Sequence, residues 1–243
     1  MILNSIHTCA NKHNSESKNN SDNPRCYEIR TYYRHSKDRI DAENFIRQQY
    51  AQYYQADIED FYPQLLSLYT ASDKNIQAIS GLRCAQGEQL FSEYYLQQTI
   101  EQELSKKNDS NIIRSKVAEV GNLALTNRSQ IRSLIIALIA YLYAADFSQM
   151  VFTTIPVISN SFKRVGLPVQ ELADARLEHL PQALQQQWGN QYYQLSPKVY
   201  ALDIQKAHQL LMPHFQQASS FLRQLWLDGY ALGEQHFKKV AVA

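Results

Sequence analysis

The chain has 243 residues, 44% of them hydrophobic and 19% charged, which is enough apolar material for one sizeable core and argues against disorder. Twenty-four Lys and Arg against 23 Asp and Glu leave a net charge of +1, so no long-range field favours nucleic acid, which is set aside as a partner. Cys9, Cys26 and Cys84 are odd in number, far apart and outside any C-x-x-C pair, which predicts free thiols in a reducing compartment and neither a disulfide framework nor a zinc site.

The opening Met1–His7 lacks the basic and apolar regions of a secretory signal, and the longest uncharged apolar run, Ser133 to Ala145, falls short of the roughly 20 residues a membrane span needs. The expected location is cytoplasmic. Asn11 to Asn23 (NKHNSESKNNSDN) has nothing to bury, so residues 1–25 read as a flexible polar tail. Alternation and aromatic content predict a strand over Tyr27 to Arg34. Ile40, Phe45, Ile46, Tyr50 and Tyr53 fall at helical spacing within Asp38 to Tyr54, predicting an amphipathic helix. The runs Leu65–Tyr69 and Ile76–Arg83 flank a polar turn at Ser72–Asn75 and read as a β-hairpin.

Leu90 to Leu96 has no clear state, and Thr99 to Lys107 reads as a helix ended by Asn108-Asp109-Ser110. Val117 to Leu125 reads as a strand, Ser129 to Phe147 as a helix apolar on nearly every face, and Met150 to Ile155 as a strand. A short helix over Ser159 to Val165, a Gln-rich stretch near Trp188 and a strand at Val199–Leu202 complete a mixed α/β sandwich spanning 26–205. The remainder, 206–243, reads as a C-terminal helical extension that Pro213 and Gly229 should kink or divide.

Many familiar machines lack their residues here. There is no G-x-G-x-x-G, no G-x-x-x-x-G-K-[ST], no H-E-x-x-H and no G-x-S-x-G. The seven histidines never fall at metal-ligand spacing, so no metal is expected. What stands out is Glu119 and Asn122 in an otherwise apolar strand, separated by Val120 and Gly121. Glycine inside a strand often marks a bulge, and a bulge would free backbone N–H groups to hold an oxyanion in a cleft. Glu119 beside it would take a proton from an incoming amine, directly or through water. The alternative stays open: Glu119 in a salt bridge with Arg83 or Arg114, and Gly121 as a packing glycine.

Five segments in order, Phe45-Ile46-Arg47-Gln48-Gln49-Tyr50, Glu93-Tyr94-Tyr95-Leu96, Glu119-Val120-Gly121-Asn122-Leu123-Ala124, Asn160 to Leu167 (NSFKRVGL) and Trp188-Gly189-Asn190-Gln191-Tyr192-Tyr193, resemble the pattern of the bacterial thermostable hemolysin family. That family has the look of a GNAT fold and is similar in turn to acyl-homoserine-lactone synthases. The resemblance covers roughly residues 28 to 205. It implies an acyltransferase using an acyl-CoA or acyl-carrier-protein thioester, with long-chain acyl groups passed to a small amine such as an amino acid. It also implies catalytic roles for Glu119, Gly121 and Asn122, and a cofactor side built from Leu123, Leu125, Arg128, Arg132, Asn160 and Phe162. Arg83, Glu93, Tyr192 and Tyr193 are implied on the substrate side.

Two departures are visible. The glycines that bring backbone amides to the coenzyme A pyrophosphate in a standard GNAT are absent from Arg128-Ser129-Gln130-Ile131-Arg132. Either Arg128 and Arg132 hold the phosphates with fewer amides, or the donor is a carrier-protein thioester. The tyrosine that usually protonates the thiolate is Phe162, leaving Tyr192, Tyr193 or no acid. Asn160 reads equally as the N-cap of the short helix. The hemolysin name adds a rival reading, a membrane-acting lytic protein, carried by Leu210 to Val240. Few Lys or Arg lie there, only Arg223, Lys238 and Lys239, which favours dimerisation or packing on the domain over an interfacial helix.

Overall fold

The computed structural model describes residues 5–6, 27–70, 75–217 and 220–242. Eight strands form one sheet: β1 Ser5–Ile6, β2 Tyr27–Tyr33, β3 Gln64–Thr70, β4 Ile76–Cys84, β5 Val117–Leu125, β6 Gln149–Thr154, β7 Gln170–Asp174 and β8 Lys198–Asp203, in the order β1-β2-β3-β4-β5-β6-β8-β7. Every pairing is antiparallel except β5 with β6. The helices are α1 Arg39–Tyr54, α2 Ile100–Asn108, α3 Ile131–Ala144, α4 Pro156–Arg164, α5 Gln182–Trp188, α6 Gln191–Gln194, α7 Ile204–Gln217 and α8 Ser220–Val242.

Strand parity sorts the sheet into two faces. Ala118, Val120, Met150, Phe152, Tyr200 and Leu202 turn towards α3, which is buried on every side from Leu134 to Leu142 because α7 and α8 cover its other flank. This is why a helix apolar all round is stable in water. On the opposite face, Leu65, Ile79 and Ala124 pack under Ala42, Ile46 and Tyr50 of α1. Val117, Val151 and Ala201 pack under Ile100 and Leu104 of α2.

The expected helix and hairpin over 38–83 form within a residue or two, and β5 spans the predicted Val117 to Leu125. Three expectations need correction. The short helix starts at Pro156, whose missing N–H suits the first helical position, so Asn160 sits inside α4 and is no N-cap. An unpredicted strand, β7, joins the sheet edge; its sequence QELAD is half-exposed and carries little alternation. Gly229 does not divide the last helix: Gly229 and Gly233 face α3, where an added Cβ would lie 2.8 Å from the Ala137 carbonyl oxygen and 2.3 Å from that of Tyr141. The glycines let two backbones touch, and Leu211, Phe215, Leu225, Trp226 and Leu232 join the main core. The polar tail lies outside the described residues save Ser5–Ile6, which pair with β2; Ser72–Lys74 of the expected turn lie outside them too.

Candidate active site

β5 and β6 pair in parallel only from Val117–Gln149 to Val120–Phe152. Beyond that point β6 stays with β8 and β5 stays with β4, so the two strands part. The gap opens a cavity of about 290 Å³ lined by Gly121 to Arg128 on one side and Phe152 to Ile155 on the other. α3 and α4 contribute the apolar Ile131, Ile135, Leu138, Ile158 and Phe162 to its wall, and α1, α5 and α6 contribute Tyr50, Tyr54, Trp188 and Tyr192.

The bulge expected in β5 is present one residue later than the glycine. Gly81 pairs Gly121 and Ile79 pairs Ala124, so two residues of β4 advance while three of β5 do, and the extra residue falls at Asn122–Leu123. Asn122 has φ 46°, in the left-handed region that asparagine tolerates better than most residues. The insertion shifts the parity of the strand. Val117 and Ala124, an odd number of positions apart, consequently both face the α1–α2 side.

That face holds one tyrosine that the sequence did not single out. The ring of Tyr62, in the loop before β3, lies across the two paired glycines: a Cβ on Gly121 would sit 2.6 Å from Tyr62 Cζ, and one on Gly81 2.8 Å from Tyr62 Cβ. Asn122 Oδ1 accepts the Tyr62 backbone N–H at 2.8 Å, and Asn122 Nδ2 donates to the Asp60 carbonyl at 3.2 Å. The Tyr62 hydroxyl lies over Gly121, two residues along the same strand face from Glu119, and the Arg83 guanidinium lies 4.2 Å from the centre of its ring, a cation–π contact. Gly121 and Asn122 thus meet the same residue, the one through its ring and the other through its backbone, and the Glu119 charge acts on its hydroxyl. Nothing in the segment Asp57 to Pro63 marks this, since it has no periodicity; the only signal is a glycine on each of two adjacent strands.

Glu119 is 1% exposed and lies behind Tyr62, which lines the cavity. Its oxygens accept the backbone N–H groups of Phe91, at 3.0 Å, and Ser92, at 2.6 Å, the first residues of a 3₁₀ turn over Phe91–Tyr95. Burial raises its pKa above the ordinary 4.5, opposed by the Ser92 and Phe91 amides and the charge of Arg83. Burial and the neighbouring Glu119 charge push the Tyr62 hydroxyl well above the ordinary tyrosine value. Arg83 faces Glu119 across the β4–β5 ladder, yet its ion pairs run to Asp60 at 3.5 Å and Glu88 at 4.0 Å.

The other sequence-derived candidates divide. Gly121, Asn122, Leu123, Leu125, Arg128, Phe162 and Tyr192 line the cavity. The Leu123 amide faces the Tyr50 hydroxyl, both on the cavity wall. Arg132 and Asn160 are exposed and outside the cavity wall. Glu93 is spent elsewhere: it accepts from the amides of Leu90 and Ile100 and pairs with Arg114 at 2.6 Å. Arg114 also holds Glu101, which removes it as the partner of Glu119. Tyr193 shares a 2.6 Å hydroxyl contact with Tyr95. At the start of α3, Asn127 takes the amides of Ser129 and Gln130, through its side chain and its carbonyl, so few amides there remain for a phosphate. Among the described residues no group of three His, Cys, Asp or Glu is placed to hold a metal, and no helix is long and apolar enough to cross a membrane.

Solved structures with this fold include TofI in an apo form, 16% identical over 84% of this chain and 98% of that one, TM-score 0.50. The AHL synthase LasI is 11% identical over 73% and 90%, TM-score 0.50. A putative arylalkylamine N-acetyltransferase 7 from the yellow fever mosquito Aedes aegypti is 12% identical over 74% and 88%, TM-score 0.51. At these identities the likeness is one of fold, a GNAT-like mixed sheet flanked by helices. No curated protein gives a significant match. The family model described as thermostable hemolysin matches residues 32–208, and the chain belongs to that family.

Proposed function

We propose that the protein transfers an acyl group, a long chain by the character of the cavity, from a coenzyme A or acyl-carrier-protein thioester to a small amine such as an amino acid. The observation that carries this reading is the parting of β5 from β6, which places a bulged strand with an inward amide beside a deep apolar pocket. The apolar wall formed by Ile135, Leu138 and Phe162 suits an acyl chain. The amides of the Asn122–Leu123 bulge supply donors for the tetrahedral oxyanion, and Glu119 supplies the final acceptor for the amine proton. The closed start of α3 favours Arg128 and Arg132, neither ion-paired to a described carboxylate, as the charges that meet the donor's phosphate. The same closure suits a carrier-protein thioester, which has one phosphate to hold.

Arg83, sandwiched between Tyr62 and acidic neighbours, supports the site better as a brace than as a ligand for an acceptor carboxylate. The lytic reading finds no comparable support, because Phe215, Leu225 and Trp226 of the C-terminal stretch are buried in the core. Mass spectrometry of mixtures of acyl-CoA or acyl-carrier protein with a panel of amines tests the proposal. An amide product of the expected mass supports it; absence of any amide from either donor class overturns it.

A further inference from the structure

We infer that Tyr62 is the catalytic residue that meets the acceptor nitrogen, passing its proton to Glu119 behind it. The inference rests on the acyl-transfer reading and adds a residue to it. Glu119 is all but sealed from the cavity and both its oxygens are already engaged by the Phe91 and Ser92 amides. Tyr62, 6% exposed, lines the cavity, and its hydroxyl lies over Gly121, 2.7 Å from where a Cβ there would sit and two residues along the same strand face from Glu119. A proton leaving the cavity for Glu119 therefore has the Tyr62 hydroxyl as its next stop.

The surrounding construction serves the same end. Gly81 and Gly121 clear the floor for the ring, Asn122 fixes the backbone N–H, and the Arg83 guanidinium covers the ring's open face. The bulge at Asn122 turns that residue towards the tyrosine that Gly121, in regular register before it, already faces.

The amine nitrogen bonds to the thioester carbonyl carbon, and one N–H proton moves to Tyr62 Oη as the Tyr62 hydroxyl proton moves to the Glu119 carboxylate. The C–S bond then breaks with its electron pair on sulfur, giving amide, thiolate and protonated Glu119. Because Tyr62 is protonated at neutral pH, it acts only while handing its own proton on, never as a standing base. The titratable and charged groups around the pair are Arg83 from β4, Asp60 from the same loop, Glu88 beside Arg83, Tyr50 from α1 and Tyr95 from the 3₁₀ turn.

Tyr62→Phe keeps the ring between the glycines and removes only the hydroxyl. It should lower kcat about 100-fold or more while the KM for the thioester changes by less than about twofold. Glu119→Gln should do the same, and the double variant should be no slower than the slower single, as residues acting as one unit behave. Additive losses, or Tyr62→Phe at wild-type rate, overturn the relay and leave acyl transfer standing. If the wild-type protein releases no thiol with any amine, the reading beneath it falls and the relay with it. A wild-type proton inventory in mixed H₂O and D₂O is independent of how the variants fold: a curved dependence, two protons moving together, supports the relay, and a linear one contradicts it.

Discussion

Asn122 and Tyr62, 60 positions apart in sequence, are joined by a 2.8 Å hydrogen bond from the Tyr62 backbone N–H to the Asn122 side-chain oxygen. Both are buried, so the bond is also a constraint: neither group has water to fall back on. Asn122→Ala leaves the Tyr62 N–H and the Asp60 carbonyl without their partner and puts alanine at φ 46°. The expected loss is about 1–3 kcal/mol in urea unfolding, with kcat falling further than global stability explains, because the loop carrying Tyr62 loosens.

Gly121→Ala places a methyl group 2.6 Å from the Tyr62 ring. Overpacking of this kind costs about 1–3 kcal/mol. In a Tyr62→Ala background the same change should cost less, because the obstructing ring is gone. Thermal denaturation of the four proteins of the cycle checks this; equal costs in both backgrounds would mean that Gly121 is needed for some other reason.

The pH dependence follows from the direction of the Glu119 shift. Its folded pKa lies above the ordinary 4.5, so between 4.5 and the folded value the native protein binds more protons than the unfolded chain, and its contribution to stability falls as pH rises through that window. Activity runs the other way, since proton acceptance needs the ionised form. The acid limb of kcat/KM should therefore sit above the usual glutamate range, and Glu119→Gln should abolish that limb along with most of the rate.

Glu93 behaves in the opposite sense. Burial alone would raise its pKa, but Arg114 and the amides of Ile100 and Leu90 outweigh burial and hold it below 4.5. Its stabilisation is complete above the unfolded value and is lost as pH falls through the folded one. Glu93→Gln should cost about 1–3 kcal/mol at neutral pH, the difference from wild type should shrink below pH 4.5, and the acceptor KM should hardly move. A large KM effect with unchanged stability would restore it as a substrate ligand.

Much of the fold was legible because burial writes itself into periodicity. The all-apolar α3 and the run Val117–Leu125 could only be a buried helix and a buried strand. β7 was not legible, since a half-exposed edge strand carries no apolar alternation. Gly229 was misjudged because a helix-breaking residue and a helix-packing residue look alike until the partner helix is known. At the site, Glu119, Gly121 and Asn122 were found as a motif, but what they act on was invisible. Tyr62 reaches them through tertiary folding from an irregular loop, and its identity as one tyrosine among 16 gave no sign of its place.

The most direct test is amine-dependent release of free thiol from a long-chain acyl-CoA or acyl-carrier-protein thioester by the purified protein. Release should require the amine, and Glu119→Gln should lower it about 100-fold or more. No amine-dependent release from either donor, or an undiminished rate in Glu119→Gln, would contradict the proposal.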